Sequence, residues 1–131
     1  MRPLALTLLL PAALIATPAR ALDLNGFRAQ HGRPPLSASA QLMGIAAARA
    51  ADMTRRHSLD HRGFRARMAA VATTAAENVA YGCASEDCVI RMWARSPGHR
   101  RNMLMGGISS YGLASADDAR GRRYWVLELG N

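Results

Sequence analysis

The stretch GISSYGLASADDARGRRYWVLELG, residues 107–130, decides the fold class. Its two arms, 107–116 and 122–130, flank the polar segment DDARG and together read as a β-hairpin. In the second arm Tyr124, Trp125, Val126, Leu127 and Leu129 follow with hardly a break, the pattern of a strand buried on both sides. Such a strand cannot stand in water alone. The segments before it supply the cover.

Working back, SEDCVIRMWARS (85–96) opens like a helix. Ser85 can cap it, Glu86 and Asp87 sit at the positive end of its dipole, and Val89, Met92 and Trp93 are expected on one apolar face. ENVAYG (77–82) is short and bounded by small residues, so it reads as a strand or an ordered loop. A weak helix is expected over Phe64–Val71. SASAQLMGIAAARAADMTRRHS (37–58) predicts a long helix capped by Ser39, with Leu42, Ile45, Ala46, Arg49 and Met53 on one side. A first short helix runs from about Asp23 to Gly32, where Pro34 and Pro35 enforce extended chain. Helices first and a hairpin last predict an α+β fold, with helices flanking a small antiparallel sheet.

The opening residues, MRPLALTLLLPAALIATPARA, have a charged start, an apolar middle and the small-residue end Ala19-Arg20-Ala21. This is the pattern of a secretory signal peptide over residues 1–21, cleaved after Ala21 to leave a single domain over 22–131. The apolar run is broken by Pro11 and falls short of the roughly 20 residues that span a bilayer. No later segment is a candidate span, so the expected location is secreted or periplasmic.

The chain carries a formal charge of +8, and all 17 of its basic residues are arginine. These are scattered rather than gathered in a stripe, and the few aromatics do not alternate with them as base-stacking platforms would. With an export signal in front, a nucleic-acid partner is excluded, and a basic surface facing anionic envelope material is expected. Two cysteines, Cys83 and Cys88, lie in CASEDC. In an exported protein a lone pair is most simply a disulfide, and two thiols alone would lack half the ligands of a structural metal site.

Histidines carry the remaining chemistry. His57 and His61 in HSLDH have the i,i+4 spacing of a zinc-protease helix, but Ser58 stands where that motif needs a glutamate base. His57 is expected at the surface, and His31 beside Gly32 is expected at a helix end. Glu77 follows an uncharged run and precedes Val79-Ala80-Tyr81, where an unpaired buried carboxylate would be costly. Imidazoles are natural partners for it, which marks His61, Glu77 and His99 as one constellation.

Taken together, NGFRAQHGRPPLSASAQLMGIAAARAADM, SLDHRGF, AENVAYG, MWARSPGHRRNML, SYGLA and YWVLELG resemble the CAP superfamily in order and spacing. That superfamily joins cysteine-rich secretory proteins, antigen 5 and pathogenesis-related proteins, and the likeness is to its short bacterial SCP-like extracellular branch. AENVAYG and WARSPGHRRNM are the specific blocks, and the likeness spans Leu22 to Asn131. It implies an α-β-α sandwich with an open cleft. It also implies a cleft tetrad of two histidines and two glutamates that binds a divalent metal, notably zinc, in some members. Three of the four fall on His61, Glu77 and His99, and the second glutamate falls on Ser96. The expectation is a cleft lined by His61, Glu77, Ser96 and His99, with His61 and His99 as ligands of weakly bound zinc. Pro97 and Gly98 are expected to turn the chain sharply out of the Trp93 helix and hold His99 at that cleft.

The resemblance favours a secreted binding module for an envelope or extracellular ligand: a lipid, a sterol or a glycan. The alternatives are an interaction protein without a small ligand, and a metal-assisted hydrolase or protease with Glu77 as base. No serine or cysteine with a surrounding triad is found, so no residue is assigned a catalytic role.

Overall fold

The computed structural model describes residues 19–131. Most of the expected signal peptide therefore lies outside the described residues. Five helices and four strands follow in the order α1 (Leu24–Gln30), β1 (Ser37–Ala38), α2 (Ala40–Arg56), α3 (Phe64–Ala69), β2 (Ala75–Tyr81), α4 (Glu86–Ala94), α5 (Pro97–Met103), β3 (Ser110–Asp117) and β4 (Arg123–Gly130).

Local chemistry accounts for the helix starts. Side chains of Asp23, Ser39 and Ser85 accept hydrogen bonds from the backbone N–H groups of Gly26, Leu42 and Cys88, satisfying donors that the first turn leaves free. The long helix α2 ends at His57, whose left-handed backbone (φ 49°) closes the last turn. HSLDH is thus a helix end followed by a loop, and its two histidines do not share a helical face.

The sheet has the order β1-β3-β4-β2. β3 and β4 form the expected antiparallel hairpin, and β4 also pairs antiparallel with β2, from Ala75 opposite Gly130 to Tyr81 opposite Tyr124. The expected small antiparallel sheet has one addition: the two-residue β1 lies parallel beside β3 at its edge. No apolar alternation announces so short a strand. It exists because the N–H groups of Ser37 and Ser39 find the carbonyls of Ser109 and Tyr111.

Both faces of β4 are covered, as the unbroken apolar run requires. Trp125, Leu127 and Leu129 pack with Leu24, Phe27, Val89, Ile90, Trp93 and Met103 of α1, α4 and α5. Tyr124 and Val126 pack with Ala46, Ala50 and Met53 of α2. Helices on both sides of a sheet make the α-β-α sandwich. Its α2 side is very close: a Cβ on Gly112 would lie 2.1 Å from the backbone of Leu42, so only glycine admits the helix there. Cys83 and Cys88 form the expected disulfide, tying the end of β2 to the first turn of α4.

Two local expectations differ. The buried face of α4 is Val89, Ile90 and Trp93, while Met92 points outward. SPGHR is also not a sharp turn. Pro97 opens α5, where its fixed φ suits the first turn and its missing N–H costs nothing.

Candidate functional site

β2 is the outer strand of the sheet, and an open strand edge must be covered or blunted. Here the covering groups build the site. The Trp93 indole Nε1 donates to the Val79 carbonyl at 3.2 Å, and Asn102 Nδ2 donates to the Glu77 carbonyl at 3.4 Å. Asn78, fully buried, donates to the His99 carbonyl at 3.0 Å and accepts from Asn102 at 2.9 Å. These bonds seat α5 against the strand and fix where His99 stands.

Because side chains alternate along a strand, Glu77 and Asn78 point to opposite faces. Glu77 projects under α2 and α3 and is almost wholly buried. Its Oε1 accepts from His61 Nδ1 at 2.8 Å and its Oε2 from Arg67 Nη2 at 2.8 Å, while Arg49 Nε stands 3.5 Å from Oε2 as an ion pair without a hydrogen bond. A carboxylate only accepts, so Nδ1 of His61 carries the proton and Nε2 is the free nitrogen. Of the two imidazoles expected beside Glu77, His61 bonds it and His99 does not; two arginines take the remaining places.

Asp60 shapes the loop that delivers His61. It accepts from Ser58 Oγ at 2.7 Å, Arg56 Nη1 at 2.8 Å, the Arg62 backbone N–H at 3.0 Å and Arg49 Nη2 at 3.2 Å. These donors, Arg56 foremost, hold its carboxyl well below the usual range. A loop tied at four points presents the neighbouring imidazole in one place.

On the other side of the β2 edge, His99 and Ser96 line a cavity of about 430 Å³ with Leu59, Val79, Ala80, Tyr81, Met92 and Trp93. Burial lowers the His99 pKa below the ordinary imidazole value, and the charge of nearby His61 lowers it further. Ser96 lines the same cavity; His61 and Glu77, expected in the same cleft, are not among its lining residues and stand as a bonded pair on the other face.

The donor set decides whether a metal could reside here. Among the described residues no group of three or more His, Cys, Asp or Glu side chains could hold a metal ion. Both Glu77 oxygens are already engaged, and Ser96 adds no charge. Two imidazoles are one short of the three protein ligands usual in catalytic zinc sites. The arrangement does not fit a resident metal.

This architecture has known relatives. The model of the cysteine-rich secretory protein family, CAP, matches residues 23–129. The chain belongs to the CAP family. Among solved structures, an outer surface protein of Borrelia burgdorferi is similar with a TM-score of 0.74 at 16% identity, over 82% of this chain and 86% of that one. An extracellular SCP-domain protein of Bacillus anthracis gives 0.72 at 22% identity, over 82% and 37%. A cysteine-rich secretory protein of Staphylococcus aureus gives 0.65 at 22% identity, over 82% and 36%. This CAP chain thus spans little more than a third of those last two proteins. No curated protein matches it in sequence. At these identities the likeness speaks for the CAP fold alone.

Sequence reasoning missed Arg67, Asp60, Asn78, Asn102 and Glu128 as parts of this region. Glu128 carried a signal: it lies inside the strand that reads as buried on both sides, where a carboxylate is out of place.

Proposed function

We propose that this CAP domain is an exported binding module whose cleft at the β2 edge takes the apolar part of an envelope or extracellular ligand. One observation carries the reading. Four large apolar side chains are exposed among the described residues, and three of them, Leu59 (41%), Tyr81 (47%) and Met92 (37%), line the same cavity. Exposed apolar residues are ordinary when scattered, but a cluster rimmed by polar groups marks a contact site. The cavity lies within the size range of small-molecule pockets, and its free polar side-chain groups are few: His99, Ser96 and the Tyr81 hydroxyl. That chemistry suits an acyl chain or a sterol better than a glycan, which would need more hydrogen-bonding partners.

The test is a titration with dansyl-labelled undecanoic acid and with dehydroergosterol, with soluble peptidoglycan fragments as the glycan arm. Met92→Asp puts a charge in the cleft at an exposed position. It is expected to weaken the acyl or sterol probe at least about tenfold, roughly 1.4 kcal/mol, without moving the melting temperature. Equal affinity in the variant, or binding by the glycan fragments alone, would remove the apolar-cleft reading.

Export is part of the same proposal. The Leu22 side chain is buried, and its backbone nitrogen donates to Asp87 at 2.5 Å. Cleavage after Ala21 would turn that amide into an ammonium already facing a carboxylate, at the first turn of α4. N-terminal sequencing of the exported protein is expected to begin at Leu22. A start elsewhere, or retention of the leader, would count against this processing.

A further inference from the structure

In the register of the sheet Glu128 of β4 stands directly opposite Glu77 of β2. On its other side it faces Gly112 of β3, which has no side chain to offer. Glu128 is fully buried, and neither of its carboxyl oxygens has a hydrogen-bond partner. The charged groups around the pair come from every element packed on it: Arg49 from α2, Arg67 from α3, and His61 from the loop between them.

None of these serves Glu128. Arg67 Nη2 is bonded to Glu77 at 2.8 Å and lies 3.8 Å from Glu128, beyond hydrogen-bond length. Arg49 is shared among Glu77, Asp52 and Asp60. A second bare carboxylate, opposite the first and out of water, has nothing to hold it.

We propose that Glu128 is a neutral carboxylic acid that donates its proton to Glu77, so that the two form a one-proton site with His61 at its outer end. The added proton supplies the donor that the bare oxygens lack, and the pair then carries a single negative charge. That charge sits on the carboxylate that His61 Nδ1–H and both arginines address. A hydrogen-bonded path leads from the core of the sheet to a half-exposed imidazole, Glu128 to Glu77 to His61. It also restores a second acid to a site where the family position is occupied by Ser96. Burial, followed by hydrogen bonding to Glu77 and its like charge, pushes the Glu128 carboxyl up to about 9. The site does not depend on what the cleft binds.

The sign of the linkage is fixed. Glu128 has a higher pKa folded than unfolded, so its contribution to stability is fully present below about pH 4.3. It is lost as pH rises towards about 9. Over that window the ratio of folded to unfolded protein should fall by up to about tenfold per pH unit from this group alone. Glu128→Gln mimics the neutral acid and takes up no proton. Its melting temperature is expected to pull ahead of the native protein's progressively from pH 5 to 9. A difference that stays constant with pH would overturn the proposal.

A second measurement needs no variant. In native protein carrying carboxyl-13C glutamate, three side-chain carboxyls are present, those of Glu77, Glu86 and Glu128. The assigned Glu128 carbon is expected to hold its protonated shift at pH 7 and move only at alkaline pH. A Glu128 carbon already at its ionised position at pH 7 would overturn the proposal even if Glu128→Gln failed to fold.

Discussion

Glu77→Ala is expected to destabilise the domain by roughly 3–5 kcal/mol, because it removes the only carboxylate common to His61, Arg49 and Arg67. The Arg49 side chain is nearly fully buried and Arg67 partly so, and neither can regain water without opening the α2 and α3 cover. Each keeps a backbone acceptor, Arg49 the Asp60 carbonyl and Arg67 the Arg62 carbonyl, but Arg67 loses its only bonded carboxylate and Arg49 Nε the one it faces. Denaturant unfolding at pH 7 measures the loss. A change below about 1 kcal/mol would mean that the cluster is solvated, contrary to its burial.

Trp93→Ala should be of similar size, about 3–5 kcal/mol, for a different reason. The indole is fully buried in the cluster formed by α1, α4, α5 and β4, and its Nε1 covers the Val79 carbonyl on the free edge of β2. Truncation leaves a void and an uncovered backbone acceptor together. It also takes away a wall of the cleft, so probe binding should fall with stability. Trp93→Phe keeps most of the apolar volume but loses the N–H. It should lie between the two, separating the packing loss from the hydrogen bond. If phenylalanine behaves like the native tryptophan, the hydrogen bond contributes nothing; if it behaves like alanine, the loss lies in the hydrogen bond and not in the packing.

Much of this fold is legible in the sequence wherever one local rule suffices. Ser39 and Ser85 announce their helices because a capping side chain acts within three residues. The run from Tyr124 to Leu129 announces a doubly buried strand because no polar face interrupts it. Glu77 announces partners because a carboxylate amid apolar neighbours needs them. Features set by distant chain are harder to read. Pro97 opens a helix and can as easily break one, and only the seating of Asn102 against Asn78 decides between them. Met92 follows Val89 at a spacing that suits a buried stripe, yet that stripe turns out to be centred on Val89, Ile90 and Trp93. Arg49 sits on the inward side of α2 as the periodicity predicts. That it meets Glu77, and that Glu128 lies opposite Glu77, depends on strand register, which no local pattern contains.

The resemblance adds what local rules cannot. It implies one cleft for His61, Glu77, Ser96 and His99, of which His99 and Ser96 line the cavity while His61 and Glu77 pair beside it. It does less well on chemistry. With Ser96 in place of an acid, and the Glu77 oxygens bonded to His61 and Arg67, the edge offers an apolar cleft beside a histidine rather than a three-ligand metal centre.

The proposed binding module would meet its ligand in the cleft along β2. Backbone and methionine-methyl NMR shifts recorded during addition of dansyl-labelled undecanoic acid test it most directly. Saturable shifts confined to Leu59, Val79 to Tyr81, Met92, Trp93, Ser96 and His99 are the predicted result. Saturable shifts that leave these residues unmoved and gather elsewhere, or no saturable shifts with either the acyl or the sterol probe, would contradict it.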